Sequence, residues 1–436
     1  MTEHHDHSAR HAAPNGPPPG YSSVPATPWY APSHRPPPPP PPATVHAESP
    51  APLASASAPD RTPPAEDEGA GPRPPVPQRI WCVEDNRMAL LAMSVWTERV
   101  PGRGEDADPF VADHQDSRQG VLAVFDGSGG AGAAPAWQAP DGEFRTGAWV
   151  GARVARLATD AWFHDVAAEG EPAEPETLRD YLRFFLEHAP QRRSKISGTM
   201  RRQLPTTLAA LHYKVVQVQD EVGLELRPLW AGDSRAYVLR PRTGLQVLTR
   251  DHTRESDALE LLRSDPPMTN LVCADREFEI DGGRVTYPLP CVLVTATDGF
   301  FGYVHTPADF ETLLLRTLRQ AGTVGEWADL VRREVQSYTA DDASLAVVAL
   351  GYDGFADLRA RFSARLEDLK DRYVRTRPRG LDRLSPSTAD AGSGPTPTPE
   401  DAAELPARVG AWQDATWHSY RAGYETHLPL APEERA

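Results

Sequence analysis

Short apolar runs recur along the chain from about Ile80 onward, and Gly, Asp and Asn separate them. Runs of this length that are rich in β-branched residues and bounded by turn residues are typical of strands. The predicted strands are residues 90–96, 121–125, 208–218, 224–230, 235–239, 291–297 and 344–350. We therefore expect the folded part of the chain to begin near Ile80.

Four helices are predicted from apolar residues that repeat every three or four positions. The first two stripes lie within residues 150–161 and 178–186. At the third, Thr306 followed by Pro307 forms an N-cap and first-turn signature, and an apolar repeat follows it. The fourth stripe spans residues 327–335. Each stripe is expected to pack against a sheet, since an amphipathic helix buries its apolar face.

The order of these elements bears on the fold class. Strands come first, then two helices, a run of strands, two more helices and a last strand. A doubly wound parallel sheet would require strict alternation of strands and helices. The sequence therefore predicts an α+β fold in which antiparallel sheets form a sandwich.

Residues 1–78 differ from the rest of the chain in composition. A dense share of the 46 prolines lies there, with almost no aliphatic residue that could form a core. We predict that this arm is disordered or adopts the polyproline II conformation. Because polyproline II is a preformed extended ligand, the arm is either a solubilising tether or a docking segment for a partner.

Three segments are predicted beyond Gly351. Residues 352–375 carry an apolar stripe with charges between its members and should form a helix. Residues 376–401 are rich in Pro, Ser, Thr and Gly and read as a linker. Residues 402–436 form an aromatic-rich helical tail, which either docks on the domain or holds a partner.

Composition narrows the classes of partner. The net charge of −16 disfavours nucleic acid and anionic membranes, because like charges repel. The cysteines, Cys82, Cys273 and Cys291, are too widely separated to form a disulfide framework or a cysteine-based zinc site. No stretch approaches eighteen apolar residues, and the N-terminal residues lack the apolar core of a signal peptide. We expect a soluble, cytoplasmic protein.

Acidic residues lie at the ends of several predicted strands. Asp126 ends VLAVFDG together with a glycine, Asp298 does so in CVLVTATDG, Asp233 follows LWAG, and Asp341 precedes SLAVVAL. Hard divalent cations bind several carboxylate oxygens, and strand ends provide a rigid platform for them. A single Asp-Gly is a weak signal, because the same dipeptide marks ordinary turns.

Taken together and in order, these segments resemble the metal-dependent PPM (protein phosphatase 2C-like) serine/threonine protein phosphatases of the bacterial type. The motifs that carry the resemblance are GRGEDADPF, FDGSGG, LPTTLAAL, WAGDSRAYVL, LTRDHT, TATDGFF and DDASLAVVAL. They cover residues 80–350 in the family's own order. The resemblance implies a phosphatase domain at residues 79–351, built as a four-layer α-β-β-α sandwich of two antiparallel sheets flanked by helices.

The resemblance also implies roles for individual residues and a cofactor of two Mn²⁺ or Mg²⁺ ions. Asp126 would bridge the two ions, with the Gly127 carbonyl as a further ligand. The remaining metal-site residues are Asp298 and Asp341 as ligands of one ion, Glu105 and Asp106 as the acidic pair that holds the waters of the other, and Asp233, which with Asp298 would support a third, weaker ion.

The expected reaction is hydrolysis of phosphoserine and phosphothreonine in proteins, including substrates of bacterial serine/threonine kinases. Paired cations neutralise the phosphate dianion and lower the pKa of a shared water, which then attacks phosphorus in line. Asp126 and Asp298 are the expected catalytic carboxylates.

Three positions depart from the family pattern. Ser128 stands where many members have a histidine that is a proposed general acid, and a serine hydroxyl is a poor proton donor. Pro101 occupies the usual place of the phosphate-binding arginine, which leaves Arg99 or Arg103 as shifted substitutes. Asp342 replaces the asparagine of eukaryotic members. The first two departures, at Ser128 and Pro101, motivate an alternative, a pseudophosphatase that binds a phosphoprotein or regulator without turnover.

Several nearby residues have competing interpretations. Ser234 and Arg235 would either contact substrate or supply a turn hydrogen bond and an exposed strand start. His252 is expected to be a structural partner of the adjacent turn. Residues 257–268 fall where the family often carries a variable flap beside the metals, although their acids equally suit a solvated helix face.

Overall fold

The computed structural model describes residues 80–430 apart from residues 86, 88, 141, 191–201, 219–220, 265 and 382–398. The arm predicted at residues 1–78 and most of the predicted linker lie outside the described residues. The strands are β1 Ile80–Asp85, β2 Leu90–Thr97, β3 Phe110–His114, β4 Gln119–Val124, β5 Pro135–Gln138, β6 Phe144–Thr146, β7 Leu208–Val218, β8 Glu221–Ala231, β9 Arg235–Arg240, β10 Gly244–Val247, β11 Asp281–Gly282, β12 Val285–Pro288, β13 Cys291–Ala296 and β14 Ala343–Leu350.

Helices connect and cover these strands. They are α1 Gly129–Gly132, α2 Gly147–Ala168, α3 Pro175–His188, α4 Ala258–Arg263, α5 Asp298–Phe301, α6 Pro307–Gln320, α7 Val324–Tyr338, α8 Gly354–Arg361, α9 Ser363–Leu369, followed by a π-helical turn at Lys370–Val374, and α10 Pro399–Tyr424. As predicted, Thr306 is the N-cap of α6, and it forms a capping box with Asp309.

The strands form two main antiparallel sheets. In the first sheet the order is β1-β2-β14-β13-β9-β10, and in the second it is β11-β8-β7-β4-β3, with β12 also beside β8. A separate two-stranded sheet pairs β5 with β6. Every strand pair is antiparallel, so the predicted α+β class is confirmed.

Three apolar clusters show that the elements are stacked in four layers. One cluster lies between the two sheets and joins side chains of β2, β4, β7, β9, β13 and β14. A second lies between the first sheet and α6 and α7, and a third lies between the second sheet and α2 and α3. The arrangement is the predicted four-layer α-β-β-α sandwich.

The strand β14 shows why its sequence is a continuous apolar run. Leu345 and Val347 face the helices on one side, while Ala346 and Val348 face the other sheet. Because successive side chains of a strand point to opposite faces, a strand that is covered on both faces needs apolar residues at every position. Such strands stand out in a sequence.

The strands that the sequence analysis missed are short or lie at sheet edges. β1 is an edge strand whose residues from Trp81 to Glu84 are exposed, so its apolar and polar residues follow no simple alternation. β3 is also an edge strand, at one end of the second sheet, and most of its residues are half-buried. Because the residues of an edge strand are less buried, their sequence lacks the apolar pattern from which a strand can be predicted.

The segment that follows the last strand packs on the first sheet. Its predicted single helix is two helices, α8 and α9, which meet at Phe362. Buried residues of both belong to the same cluster as the aromatic residues of α10, which are Trp417, Tyr420 and Tyr424. None of the helices in the described part of the chain is long and apolar enough to cross a bilayer.

One histidine is buried in the second sheet. His212 on β7 is 3% exposed, its Nε2 lies 3.1 Å from Oε1 of Gln119, and the rings of Trp162 and Phe163 pack around it. Burial, reinforced by the guanidinium of Arg227, lowers the pKa of His212 from 6.5 to about 4. The folded state therefore holds this imidazole neutral at a pH at which the unfolded chain would protonate it.

This difference predicts a pH dependence of stability. The contribution of His212 to the free energy of unfolding is complete above pH 6.5 and is lost as the pH falls toward 4, with a slope approaching about 1.4 kcal/mol per pH unit. Urea unfolding of His212→Gln between pH 7 and 4 should lack this component. The exposed His188→Gln is the control. Equal slopes for wild type and His212→Gln would contradict the assignment.

Candidate metal centre

The acidic residues predicted from the strand ends lie at one end of the sandwich. Asp126 follows β4 and Asp233 follows β8, both in the second sheet, whereas Asp298 follows β13 and Asp341 precedes β14, both in the first. The register of the strands places the end of β13 beside the start of β14, and the ends of β4 and β8 beside the start of β7. Both sheets therefore deliver carboxylates to the same edge.

Three of these acids open on one cleft. Asp233, Asp298 and Asp341 line a cleft of about 350 Å³, together with residues of α4 and α5 and the side chain of Tyr303. The Tyr303 hydroxyl is 3.5 Å from Oδ2 of Asp341. The cleft is thus predominantly acidic at its base.

Asp126 and Asp106 lie close to these acids, Asp106 buried and Asp126 half-buried. The pKa of Asp126 is raised by burial and then by the charges of Asp106, Asp233 and Asp341, and its carboxyl group is hydrogen-bonded to that of Asp106. The pKa of Asp106 is raised by burial and by the charges of Asp342, Asp298 and Asp341. These acids are therefore close enough to one another, and poorly enough solvated, for the charge of one to raise the pKa of another.

Glu105 belongs to the same group of acids. Burial raises its pKa, as do the charges of Asp342 and Asp341, while a hydrogen bond from Thr146 opposes the rise. The Thr146 hydroxyl lies 2.5 Å from Oε1 of Glu105. Arg153 donates to the carbonyl oxygen of Glu105 rather than to its carboxylate. The charge of the carboxylate is thus only partly offset.

The donor chemistry of this group suits a hard divalent cation. Its members offer carboxylate and backbone oxygens, which are the ligands that Mg²⁺ and Mn²⁺ prefer. Among the described residues, however, no three His, Cys, Asp or Glu side chains are placed to hold one ion. The structure brings the predicted acids together, and their roles as ligands remain a prediction.

Asp342 fixes the loop that carries Glu105 and Asp106. Its Oδ1 accepts the N–H of Arg99 at 2.8 Å, and its Oδ2 accepts the N–H of Glu105 at 2.6 Å. The same loop reaches the second sheet, because the N–H of Ala107 donates to Phe125 O at 3.0 Å. The loop therefore ties the two sheets together beside the acids, a role that the sequence analysis did not assign to Asp342.

Neutral donors hold Asp106 and the backbone of Asp126. The Thr297 hydroxyl donates to Oδ2 of Asp106 at 3.1 Å, and Asp106 is only 1% exposed. Thr206 Oγ1 and the N–H of Thr207 both donate to the carbonyl oxygen of Asp126, at 2.7 and 2.8 Å. These threonines orient the acids without neutralising them.

The glycines that follow Asp126 and Asp298 are required by close packing. A Cβ on Gly127 would lie 2.6 Å from Glu105 O, and a Cβ on Gly299 would lie 1.9 Å from Asp342 O. Both contacts are with backbone atoms, which cannot move aside easily. The Asp-Gly pairs therefore let two chain segments approach each other at the site.

The two arginines considered for phosphate binding differ in position. Arg99 lies close enough to Asp341 for its charge to offset part of the rise in the pKa of that carboxyl, a rise that burial causes first. Both residues are exposed, and the N–H of Arg103 closes a turn on Val100 O at 2.9 Å. The structure thus brings Arg99 to the acids.

The turn that carries Asp233 is held by its neighbours. Nδ1 of His252 accepts the N–H of Gly232 at 3.0 Å, as expected of a structural histidine. The Ser234 hydroxyl is buried and lies 2.6 Å from that of Thr207. These contacts give Ser234 and His252 positioning roles.

The expectation of an exposed strand start at Arg235 is wrong. Arg235 is 4% exposed and makes a bidentate ion pair with Asp251, at 2.8 and 2.7 Å. Its guanidinium also lies over the ring of Phe301, 4.3 Å from the centroid. A buried arginine is tolerated here because a carboxylate neutralises it and an aromatic face covers it.

Comparisons with known proteins add the following. No protein-family model and no curated protein matches the chain. The solved structures that match include the serine/threonine phosphatase Stp1 from Staphylococcus aureus, at 17% identity and a TM-score of 0.42 over 60% of this chain and 94% of that one. The Mycobacterium tuberculosis serine/threonine phosphatase PstP matches at 18% identity and a TM-score of 0.38, over 60% and 99%.

RsbX in complex with magnesium matches at 12% identity and a TM-score of 0.39, over 63% of this chain and 100% of that one. Stp1 and PstP are by name enzymes of the class that the sequence motifs resemble. With identities and TM-scores this low, the function is inferred below from the residues of this chain.

The clustered acids predict that divalent cations stabilise the fold. Mn²⁺ at about 100 times its dissociation constant should raise the free energy of unfolding by about 2.7 kcal/mol, because it binds only the folded state. Asp298→Asn should lose most of this gain. Asp116 is an exposed acid in the turn after β3, and Asp116→Asn should keep the gain. Thermal unfolding with MnCl₂ and with EDTA measures the difference. An equal gain in wild type and Asp298→Asn would contradict the site.

The contacts of Asp342 predict a local effect on the loop. Asp342→Ala removes the acceptor for two backbone N–H groups, so the amides of Arg99 and Glu105 should exchange with deuterium about tenfold faster or more. Asp342→Asn keeps one acceptor oxygen and should have a smaller effect. Hydrogen exchange followed by NMR or mass spectrometry provides the measurement. If exchange at both amides is unchanged in Asp342→Ala, the hydrogen bonds of Asp342 do not hold the loop in place.

Proposed function

We propose that the chain is a metal-dependent phosphatase that hydrolyses phosphoserine and phosphothreonine in proteins. The observation that supports this most strongly is the convergence of acids from both sheets. The charges of Asp106, Asp233 and Asp341 all raise the pKa of Asp126, and Asp233, Asp298 and Asp341 line one cleft. Sequence positions more than 200 residues apart meet at one edge of the sandwich, next to a cleft open to substrate.

The acids would hold two Mn²⁺ or Mg²⁺ ions, with a third, weaker site. Asp126 would serve both ions, with the Gly127 carbonyl as a further ligand. Asp298 and Asp341 would hold one of the ions, and Glu105 and Asp106 would hold the waters of the other. Asp233 with Asp298 would support the third. When bound, the ions supply positive charge for the phosphate and acidify a water for attack on phosphorus.

Other residues of the chain would orient the substrate and the site. Arg99 lies beside Asp341 and supplies a positive charge for the phosphoryl oxygens. Asp342 keeps Arg99 and Glu105 in place through their backbone N–H groups. Ser128 offers only a weakly acidic hydroxyl, so we expect solvent to protonate the leaving serine or threonine oxygen.

We propose that the physiological substrates are proteins that bacterial serine/threonine kinases phosphorylate. The cleft of about 350 Å³ opens to solvent and is large enough for a phosphorylated side chain. We further propose that the Pro-rich arm at residues 1–78 serves as a tether or as a docking segment for a partner domain.

The alternative is a pseudophosphatase, which the sequence favours at two positions. Ser128 lacks the acidity of the histidine found in many members, and Pro101 replaces the usual phosphate-binding arginine. A protein of this kind would bind a phosphoprotein without hydrolysing it. Turnover and cation binding, measured on the same sample, separate the two functions.

An activity assay tests the proposal. Purified protein with MnCl₂ should release phosphate from a phosphothreonine peptide, EDTA should abolish the release, and Asp298→Asn should lower kcat/KM by about 100-fold or more. Asp116→Asn should retain the wild-type rate. If the wild-type rate is no higher than that of Asp298→Asn while Mn²⁺ still binds, the pseudophosphatase function replaces the catalytic one.

A further inference from the structure

The helix α4, which we call the flap helix, forms one wall of the acidic cleft. Leu261, Leu262 and Arg263 line this cleft opposite the strand-end acids. The flap helix has only six residues, and an isolated helix of that length is not stable in water. Its position must therefore come from contacts with neighbouring parts of the chain.

Some of these contacts are apolar, and they come from the C-terminal helix α10. Ala258 and Leu259 of the flap helix belong to one buried cluster with Trp417, Tyr420 and Tyr424 of α10. The two helices also face each other across a small cavity next to this cluster. Buried residues of the flap helix thus share one apolar cluster with the aromatic residues of α10, and Leu261 and Tyr424 line the same small cavity.

A single carboxylate joins the two helices at the start of the flap helix. Asp257 is the N-cap, and its Oδ1 accepts the N–H groups of Leu259 and Glu260, at 2.9 and 3.2 Å. Its Oδ2 accepts Nε1 of Trp417 at 3.0 Å and Nη1 of Arg421 at 2.8 Å. The group that starts the flap helix is therefore fixed by α10.

A second polar link lies at the other end of the flap helix. Arg263 donates to Oδ1 of Asp414 on α10 at 2.6 Å, and also to Glu260 within its own helix at 2.8 Å. The neighbouring Gln413 donates to His305 O at 2.9 Å, just before α6. Both ends of the flap helix are thus tied to α10, and Arg263 itself lines the cleft.

α10 is in turn anchored to the sandwich. The Tyr420 hydroxyl donates to Oε2 of the buried Glu311 at 2.6 Å, and Arg365 binds the same carboxylate in a bidentate manner, at 2.7 and 2.8 Å. Arg235 at the wall of the cleft donates to the Tyr424 hydroxyl at 3.4 Å. A helix fixed in this way can hold the flap helix against the rest of the domain.

We propose that α10 is an intramolecular strap that sets the position of the flap helix and thereby selects which phosphorylated substrates the cleft accepts. The part that concerns substrates rests on the proposed phosphatase function, whereas the holding of the flap helix does not. Asp257 and Arg263 are positioning residues on the flap side, and Asp414 and Arg421 are their partners on the strap. A phosphorylated peptide must pass the flap helix, but a small aryl phosphate need not.

The experiment uses the full chain with the double substitution Asp414→Asn and Arg421→Gln, which removes both strap-side charges and keeps the N-cap of the flap helix. Deuterium exchange of the α4 amides should become about 2- to 5-fold faster, the size expected for losing exposed ion pairs, while exchange in β13 stays unchanged. KM for a phosphothreonine peptide should change by a similar factor, with kcat/KM for p-nitrophenyl phosphate unchanged.

Arg361→Gln is the matched control. Arg361 on α8 and Arg421 on α10 each pair with an acid four residues away, and both side chains are 48% exposed. Exchange in α4 equal to that of wild type and of Arg361→Gln would overturn the strap. Faster exchange with an unchanged ratio of peptide to aryl phosphate hydrolysis would overturn the substrate selection. If no phosphatase activity exists at all, exchange still decides whether α10 holds the flap helix.

Discussion

Repulsion between carboxylates is the constraint on which the rest of this structure depends. Burial raises the pKa of both Asp106 and Asp126, and the charges of nearby acids raise them further, with Asp106 acting on Asp126. The Thr297 hydroxyl donates to the carboxylate of Asp106, whereas the Thr206 hydroxyl and the Thr207 N–H donate to the backbone carbonyl of Asp126. These neutral donors orient the acids but leave their charge in place. A compact group of oxygen ligands with excess negative charge has the composition of a divalent cation site.

The sandwich is suited to hold such a group because its sheets are rigid and covered on both faces. β14 and β13 are packed between helices and the opposite sheet, so the residues at their ends have little freedom. The loop at residues 98–109 crosses from one sheet to the other and is fixed by Asp342 on one side and by Phe125 O on the other. The acids are therefore held in proximity by packing that does not itself depend on their charge.

Packing also holds the flap helix in position at the rim of the cleft, in this case through α10. The flap helix is too short to be stable alone, and its first residue is capped by a carboxylate that α10 also binds. In the proposed function, substrate selection at the rim and ion binding at the base would be served by different parts of the chain. One part can change without the other.

Burial on both faces explains which elements could be predicted from the sequence. β14 was predicted within one residue of its observed bounds because its apolar run is nearly continuous. β7 was predicted at its observed bounds although His212, Lys214 and Gln217 interrupt its apolar residues. β1 and β3 were missed because they are edge strands: four of the six residues of β1 are exposed, and most residues of β3 are half-buried. The strand-end acids could be found because each lies next to an apolar run in the sequence.

The supporting contacts of the site could not be found in this way. Asp342 binds backbone N–H groups at Arg99 and Glu105, 243 and 237 residues away, and no local pattern marks such a partner. An exposed strand start was one of two interpretations of Arg235, and only the structure shows that this residue is buried and that Asp251 neutralises it. Contacts between distant residues need the fold.

The most direct test of the account is a crystal structure of the protein grown with MnCl₂, with anomalous scattering recorded to locate manganese. The account predicts two strong peaks among the carboxylates of Asp126, Asp298 and Asp341, within ligand distance of their oxygens. Peaks elsewhere, or no ordered manganese at these residues, would contradict it.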